Sequence, residues 1–167
     1  MSAPTIIEYL EADHVRLRAL LDQATAGNAL DREAYAAFRG GLLRHIAIEE
    51  KLLFPAVQGA RDGLRIDRGH ALRIDHAALT SLLVPTPDHA LCAEIRALLR
   101  VHDAKEEDED GVYAECRRWL SAAQLERLGA EAAGYRQVRM AKHYDGPNVH
   151  RTAEDALRSA RRMKRKP

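Results

Sequence analysis

Two short stretches of the sequence pair a histidine with a glutamate four residues further along. His45 is followed by Glu49, and His102 is followed by Glu106. In an α-helix this spacing places an imidazole and a carboxylate above one another on the same face. Each stretch can therefore offer one nitrogen and one oxygen to a metal ion.

Two further histidines, His14 and His76, interrupt the apolar stripes of two other predicted helices. Each of four predicted helices thus has one histidine on the face expected to line a bundle core. Burying four imidazoles and two carboxylates without partners would be very unfavourable, and two metal ions bridged by the carboxylates would neutralise them. Nitrogen and oxygen ligands suit iron or manganese. The candidate ligands are His14, His45, Glu49, His76, His102 and Glu106.

A metal-free structural bundle is the alternative interpretation of these residues. A single histidine–glutamate pair on an exposed helix is usually a solvated pair. Two such pairs on separate helices, together with a core-facing histidine on each of the other two helices, favour a metal site. The HExxH pattern of zinc hydrolases does not occur in the sequence. A zinc hydrolase is therefore excluded.

The elements that must position these residues are helices. The 167 residues are 46% hydrophobic, 31% charged and only 5% aromatic, which is typical of a soluble protein with more helix than strand. We predict an all-α fold, an antiparallel up-down four-helix bundle with a short fifth helix. Residues 1–134 are expected to form the bundle, and residues 135–167 a basic C-terminal extension that is partly helical or mobile.

Three helix starts carry capping signals. Thr5 with Glu8, and Ser121 with Gln124, have the spacing of a capping box, in which each side chain satisfies the backbone amide of the other residue. Asp31 is the expected N-cap of the second helix. These signals predict the first and second helices, and a short fifth helix that ends near residue 134.

The third helix is predicted from about Asp67 to Leu83, and the fourth from about Asp88. The inward face of the fourth helix is expected to continue through Glu109 to Tyr113. These two residues are then candidates to support the metal ligands, with a capping or core role as the alternative.

The charge is unevenly distributed along the chain. The formal net charge is +1, but from Tyr135 onward ten Lys and Arg stand against three Asp and Glu. No aromatic residues interleave with this basic run, which disfavours a nucleic-acid interface, so we expect a solvated tail or one folded onto the acidic body. The run comprises Arg158, Arg161, Arg162, Lys164, Arg165 and Lys166.

Several other features narrow the class of protein. No segment approaches the ~20 apolar residues of a membrane span, and the N-terminal residues lack the pattern of a signal peptide. A soluble cytoplasmic protein without membrane partners is expected, and its oligomeric state stays open. Cys92 and Cys116 have no metal-binding spacing and are expected to be reduced. The histidines expected outside the site are His70, His89, His143 and His150.

Residues 5–134 resemble the hemerythrin-like family, also called the HHE cation-binding domain. The matching stretches are EADHVRLRALL with His14, HIAIEEKLLFP with His45 and Glu49, RIDHAAL with His76, and HDAKEE with His102 and Glu106. The resemblance implies a non-haem di-iron centre, with Glu49 and Glu106 and an oxo or hydroxo group as bridges. Manganese is the weaker candidate.

The sequence departs from the oxygen-carrying members of that family at two places. Leu72 stands where they have a further histidine, four residues before His76. The remaining ligand set resembles the branch with the bacterial iron–sulfur-cluster repair proteins, although their cysteine-bearing N-terminal domain is not found here. The oxygen carriers use a five-residue spacing in the last helix, which makes Glu107 an alternative bridge to the preferred Glu106.

Such a ligand set would leave a vacant position on each iron. Dioxygen, peroxide and nitric oxide are the expected ligands, and the missing histidine favours reactivity or sensing over reversible oxygen carriage. We predict a protein of oxidative or nitrosative stress response or of iron handling. A sensor or binding module that acts through a partner without catalysis is the alternative, and whether the protein is an enzyme stays open.

Overall fold

The chain folds almost entirely into helices, which confirms the predicted all-α class. A computed structural model describes residues 4–66 and 68–164, and no strand occurs in these ranges. A π-helical turn (Glu49–Leu53) joins the second helix to the third. The helices are α1 (Ile6–Thr25), α2 (Arg32–Ile48), α3 (Phe54–Ala60), α4 (Gly69–Leu82), α5 (His89–Glu107), α6 (Val112–Trp119), α7 (Ala122–Ala133) and α8 (Ala153–Lys164).

The three predicted capping signals are confirmed. Thr5 and Glu8 form a complete capping box before α1, and Ser121 and Gln124 form another before α7. The side chain of Asp31 accepts hydrogen bonds from two backbone amides in the first turn of α2. Each cap satisfies amides that have no partner within the helix, so these residues fix where the helices begin.

The boundaries of α4 lie close to the predicted ones. The described part of α4 runs from Gly69 to Leu82, while the predicted start at Asp67 lies outside the described residues. Asp88 caps α5, its carboxylate accepting a hydrogen bond of 2.7 Å from the amide of Leu91. The third and fourth predicted helices therefore correspond to α4 and α5.

The prediction that the fourth helix continues to Tyr113 is wrong. Helix α5 ends at Glu107, and Tyr113 lies on the separate helix α6. The chain turns tightly between them, with the amide of Gly111 donating to the carbonyl of Asp108 over 2.6 Å. A Cβ atom at Gly111 would lie 2.8 Å from that same carbonyl oxygen, so the glycine permits a turn that interrupts the helix.

Two apolar clusters lie on either side of a layer of buried polar residues. Along each of α1, α2 and α4, the fully buried apolar residues before the histidine belong to one cluster and those after it to the other. Leu17, Phe38, Leu79 and Ile95 belong to the first cluster, which also includes α8. Leu10, Ile48, Leu72 and Val112 belong to the second cluster, which also includes α3 and α7. The histidines are thus held at one level of the fold.

The C-terminal segment contacts the rest of the chain at several points. Ala156 and Ala160 of α8 are each 1% exposed and belong to the first apolar cluster. Arg39 donates a hydrogen bond of 2.8 Å to the carbonyl of Ala141. Residues Arg165 and Lys166 of the basic run lie outside the described residues. The division into units 1–134 and 135–167 stays a prediction.

The structure also bears on the expectations about membrane spans and about the two cysteines. Among the described helices, none is long and apolar enough to cross a membrane. Cys92 and Cys116 are both free and buried.

Candidate metal centre

The polar layer between the apolar clusters contains all six predicted ligands. None of them is more than 4% exposed. Helix α1 supplies His14, α2 supplies His45, the π-helical turn opens with Glu49, α4 supplies His76, and α5 supplies His102 and Glu106. The structure therefore brings together side chains from five elements, of which α2 and the π-helical turn are adjacent in sequence and the others are far apart.

The donor atoms form two overlapping groups. The members of one group are Glu49, His76, His102 and Glu106, and the members of the other are His14, His45 and Glu106. Within each group the donor atoms lie within 4.8 Å of one another. This spacing allows one cation to contact every member of a group, and Glu106 belongs to both.

The carboxylate of Glu106 faces both groups with different oxygen atoms. Its Oε2 lies 3.2 Å from Nε2 of His14, and its Oε1 lies 3.2 Å from Nε2 of His102. Its neighbour Glu107 instead contacts Nδ1, on the outer side of the His14 ring. Among the described residues, Glu106 therefore belongs to both donor groups and Glu107 to neither.

The carboxylate of Glu49 also faces both groups, but less evenly. Its Oε2 lies 3.1 Å from Nε2 of His76, whereas its Oε1 lies 3.6 Å from Nε2 of His45. The same Oε1 accepts a hydrogen bond of 2.7 Å from the hydroxyl of Tyr113. Glu49 therefore sits closer to the four-member group.

Several buried donor atoms in this layer lack hydrogen bonds. Among the described residues, Oε2 of Glu49, Nε2 of His76 and Oε1 of Glu106 have no hydrogen-bond partner. Buried polar atoms are normally paired, and here Glu49 and His76 approach to 3.1 Å without the alignment of a hydrogen bond. Unpaired nitrogen and oxygen donors that surround a common space fit a bound cation.

A second layer of carboxylates surrounds the four imidazoles. Each imidazole Nδ1 faces an Asp or Glu from another element. For His14, His45 and His76 this contact is a hydrogen bond, and an outer carboxylate of this kind orients an imidazole that binds a metal through Nε2. Nδ1 of His102 has no hydrogen-bond partner among the described residues. The pairs are His45 with Asp13 at 3.1 Å, His76 with Glu50 at 2.8 Å, His102 with Asp75 at 3.5 Å, and His14 with Glu107.

Three of these four outer carboxylates also contact a cation. The pairs are Asp13 with Arg16 at 2.8 Å, Glu50 with Arg73 at 3.1 Å, and Asp75 with Lys105 at 2.5 Å. Glu107 is more exposed than the other three carboxylates, with 35% of its side chain exposed. It lines a groove of about 660 Å³ between α1 and α5. Asp103 and Arg18 line the same groove. The groove thus reaches the outer carboxylate of His14, while His14 itself is as buried as His76.

The imidazoles and carboxylates compensate one another's charge. Burial lowers the pKa of His45, but the carboxylates of Glu49 and Asp13 outweigh burial and raise it to about 10. Burial raises the pKa of Glu49, but His45 and His76 outweigh it and hold that pKa well below its usual value. The carboxylates therefore stay charged and favour cations in the layer.

Two aromatic rings pack against histidines at matching places. The ring of Phe54 stacks on His76 with centroids 6.2 Å apart, and the ring of Tyr113 stacks on His14 with centroids 6.0 Å apart. Tyr113 is fully buried, whereas Glu109 is exposed. Of these two candidate supporting residues, the structure therefore places only Tyr113 beside the ligands.

The remaining histidines lie away from the layer. His70, His89 and His143 are exposed and His150 is half-buried. Among the described residues, neither donor group includes any of them.

A search for helical periodicity does not identify the outer carboxylates. Each is a direct sequence neighbour of a candidate ligand and pairs with a histidine of another element. A repeated pattern could have revealed them. Residues 10–17 and 72–79 both have the pattern LxxDHxxL, and residues 45–50 and 102–107 both have the pattern HxxxEE. The Asp of the first pattern and the last Glu of the second are the outer carboxylates.

Comparison with known proteins gives one result. Residues 5–128 match the family model described as the hemerythrin HHE cation binding domain. The match covers well over half of the chain and includes all six residues of the layer. No curated protein and no solved structure matches the chain at a significant level.

Proposed function

The chain belongs to the hemerythrin HHE cation-binding family, and from this premise we propose that its polar layer binds two iron ions. His76 and His102 would bind one ion, and His14 and His45 the other. Glu49 and Glu106 would be shared as bridges. Manganese is the second candidate for the metal.

The observation that carries this proposal is the position of Glu106. Its carboxylate is fully buried, and its two oxygens each lie 3.2 Å from a histidine of a different pair. Because the two oxygens face different histidine pairs, this one carboxylate could contact two ions at once, which supports a bridging role for Glu106. Carboxylates and imidazoles from facing helices are the ligands of di-iron sites in helical bundles.

We also infer that α1, α2, α4 and α5 form an antiparallel four-helix bundle around the metals. The two apolar clusters support this topology. Leu17 comes after its histidine in sequence whereas Phe38 precedes its histidine, yet both belong to the same cluster. Neighbouring helices that run in opposite directions would produce this arrangement.

Iron bound in this layer would supply positions where dioxygen, peroxide or nitric oxide can bind and exchange electrons. The outer carboxylates would orient the metal-binding side chains. The two apolar clusters would exclude bulk water. Leu72 is fully buried and occupies the position of the extra histidine in oxygen carriers. This supports reactivity or sensing in oxidative or nitrosative stress, or in iron handling, over oxygen carriage.

Elemental analysis of freshly purified full-length protein tests the metal assignment. We expect about two irons per chain and at most one in Glu106→Ala, because this carboxylate belongs to both donor groups, while the exposed Glu109→Ala control should retain both. Iron-dependent absorption in the near ultraviolet should be weaker in the Glu106→Ala protein. A folded, helical protein that takes up no iron under anaerobic loading would contradict the proposal.

The reaction class can be tested separately with the loaded protein. Peroxide consumption, dioxygen consumption and nitric oxide binding should each be followed by absorption or electrode, with the Glu106→Ala protein as the blank. We expect at least one of these to depend on bound iron. Full iron occupancy without a response to any of the three would contradict the proposed chemistry but not the metal site.

A further inference from the structure

We propose that the hydroxyl of Tyr113 makes the two metal positions unequal, so that the position of His76 and His102 fills before the position of His14 and His45. The proposal rests on the proposed metal-binding function and adds a filling order to it. Tyr113 would act as a positioning residue, through its hydrogen bond to a ligand.

The protein offers different numbers of donors at the two positions. Four donor atoms surround the space beside His76 and His102, because Glu49 and Glu106 both contribute there. Only three donor atoms, from His14, His45 and Glu106, surround the other space. The missing donor at the second position is Glu49.

Tyr113 explains why Glu49 does not complete the second group. Its hydroxyl donates to Oε1 of Glu49 over 2.7 Å, and this is the oxygen that faces His45 at 3.6 Å. A metal ion at the second position must compete with this hydrogen bond to gain Glu49. The phenol is fully buried, so water does not readily replace it as the donor.

The first position has no comparable competitor among the described residues. The matching aromatic ring there is Phe54, which stacks on His76 but has no hydroxyl. Oε2 of Glu49 has no hydrogen-bond partner in the described part of the chain and lies 3.1 Å from Nε2 of His76. This oxygen is therefore ready to bind a metal without losing a contact.

Anaerobic titration of the metal-free, full-length protein with Co²⁺ tests the proposal. Calorimetry and visible absorption of the bound ion report affinity and stoichiometry without any measurement of activity. We expect two phases of one equivalent each, with the second weaker by about tenfold or more, the effect of one lost strong ligand contact. Two equal equivalents in the wild-type protein would overturn the proposal.

Tyr113→Phe isolates the hydroxyl. The second phase should become tighter by about tenfold, the effect of removing one hydrogen bond to a charged group, while the first phase changes by less than about twofold. Tyr35→Phe is the matched control, because Tyr35 is 1% exposed and lies in the other apolar cluster. Neither phase should change in the control.

Ligand variants assign the two phases. His14→Ala should abolish the second phase and keep the first, whereas His76→Ala should abolish the tight phase. The reverse assignment would overturn the proposal, and so would a weaker second phase in Tyr113→Phe, which would mark the phenol as a ligand. Absence of any metal binding to the wild-type protein would instead contradict the proposed function itself.

Discussion

The two halves of the polar layer contain the same kinds of residue in the same order. In each half an Asp-His pair on one helix is followed by His-x-x-x-Glu-Glu on the next element. Asp13 faces the histidine of the following helix in the first half, and Asp75 does so in the second. The halves differ in the segment that comes after the paired glutamates.

After Glu50 the chain continues through the π-helical turn into α3, which carries Phe54. After Glu107 the helix ends, and the chain turns at Gly111 into α6, which carries Tyr113. The rings occupy matching places, but only one of them has a hydroxyl within reach of Glu49. Two nearly identical ligand sets can therefore be made unequal by a single oxygen atom outside them.

Glu49→Ala is expected to have the largest effect on the difference in affinity between the two metal positions. It removes the fourth donor from the group that contains His76 and His102. Each group would then have three donors. The tight phase of Co²⁺ binding should weaken by about tenfold or more, the effect of one lost strong ligand contact, so that both phases become similar. A tight phase that persists in calorimetry would show that Glu49 is not a ligand.

Asp75→Asn and Asp13→Asn test whether each outer carboxylate serves its own half. Loss of the carboxylate that orients a metal-binding imidazole typically weakens binding by roughly 10–100-fold. Asp75→Asn should weaken the first phase, because Asp75 faces His102, and Asp13→Asn should weaken the second, because Asp13 faces His45. Equal effects of both variants on both phases would argue against separate halves.

Tyr113→Phe should destabilise the metal-free protein, although it is expected to strengthen metal binding at the second position. It removes a buried hydrogen bond to the Glu49 carboxylate, which should lower the free energy of unfolding by about 1.5–3 kcal/mol. The midpoint of thermal unfolding should fall by roughly 3–12 °C at 2–4 °C per kcal/mol. Thermal unfolding followed by circular dichroism measures this, and an unchanged midpoint would show that the hydrogen bond contributes nothing.

The smallest expected effect concerns pH. The pKa of His45 in the metal-free protein, lowered by burial but raised more by Glu49 and Asp13, is about 10, above the ~6.5 of an unfolded chain. The resulting stabilisation is fully present below about pH 6.5 and is lost as the pH rises through about 10.

The unfolding midpoint of the metal-free protein should therefore fall by a few degrees between pH 7 and pH 10. His45→Gln should show a shallower decrease over the same range, and thermal unfolding at several pH values compares the two. A midpoint that rises with pH in the wild-type protein would contradict this charge assignment.

Local patterns in the sequence predict the helix starts and the residues of the buried polar layer well. Thr5, Asp31 and Ser121 mark helix starts because a cap needs only its own turn. His14 and His76 stand out because they interrupt an apolar stripe. Both kinds of evidence depend on residues within one or two turns of each other.

The features that a helical pattern does not reveal depend on contacts between elements. The outer carboxylate Glu50 pairs with His76 on another helix, and no periodicity within one helix encodes that contact. Tyr113 lies beside the candidate ligands, one of the two roles that the sequence leaves open, but reaches them from α6 after a turn at Gly111. The outer carboxylates can be recognised in the sequence from the repeated DH and HxxxEE patterns.

The π-helical turn at Glu49–Leu53 has a consequence for how this chain tolerates change in length. Such a turn holds one residue more than an α-helical turn, and here the amide of Phe54 bonds back to the carbonyl of Glu49. The extra residue is therefore accommodated within the turn itself. Removal of one residue from its exposed side, such as Lys51, would place Phe54 four residues after Glu49, the spacing of an ordinary α-helical hydrogen bond. The same amide could then keep its bond to the carbonyl of Glu49, and Phe54 would keep its place against His76.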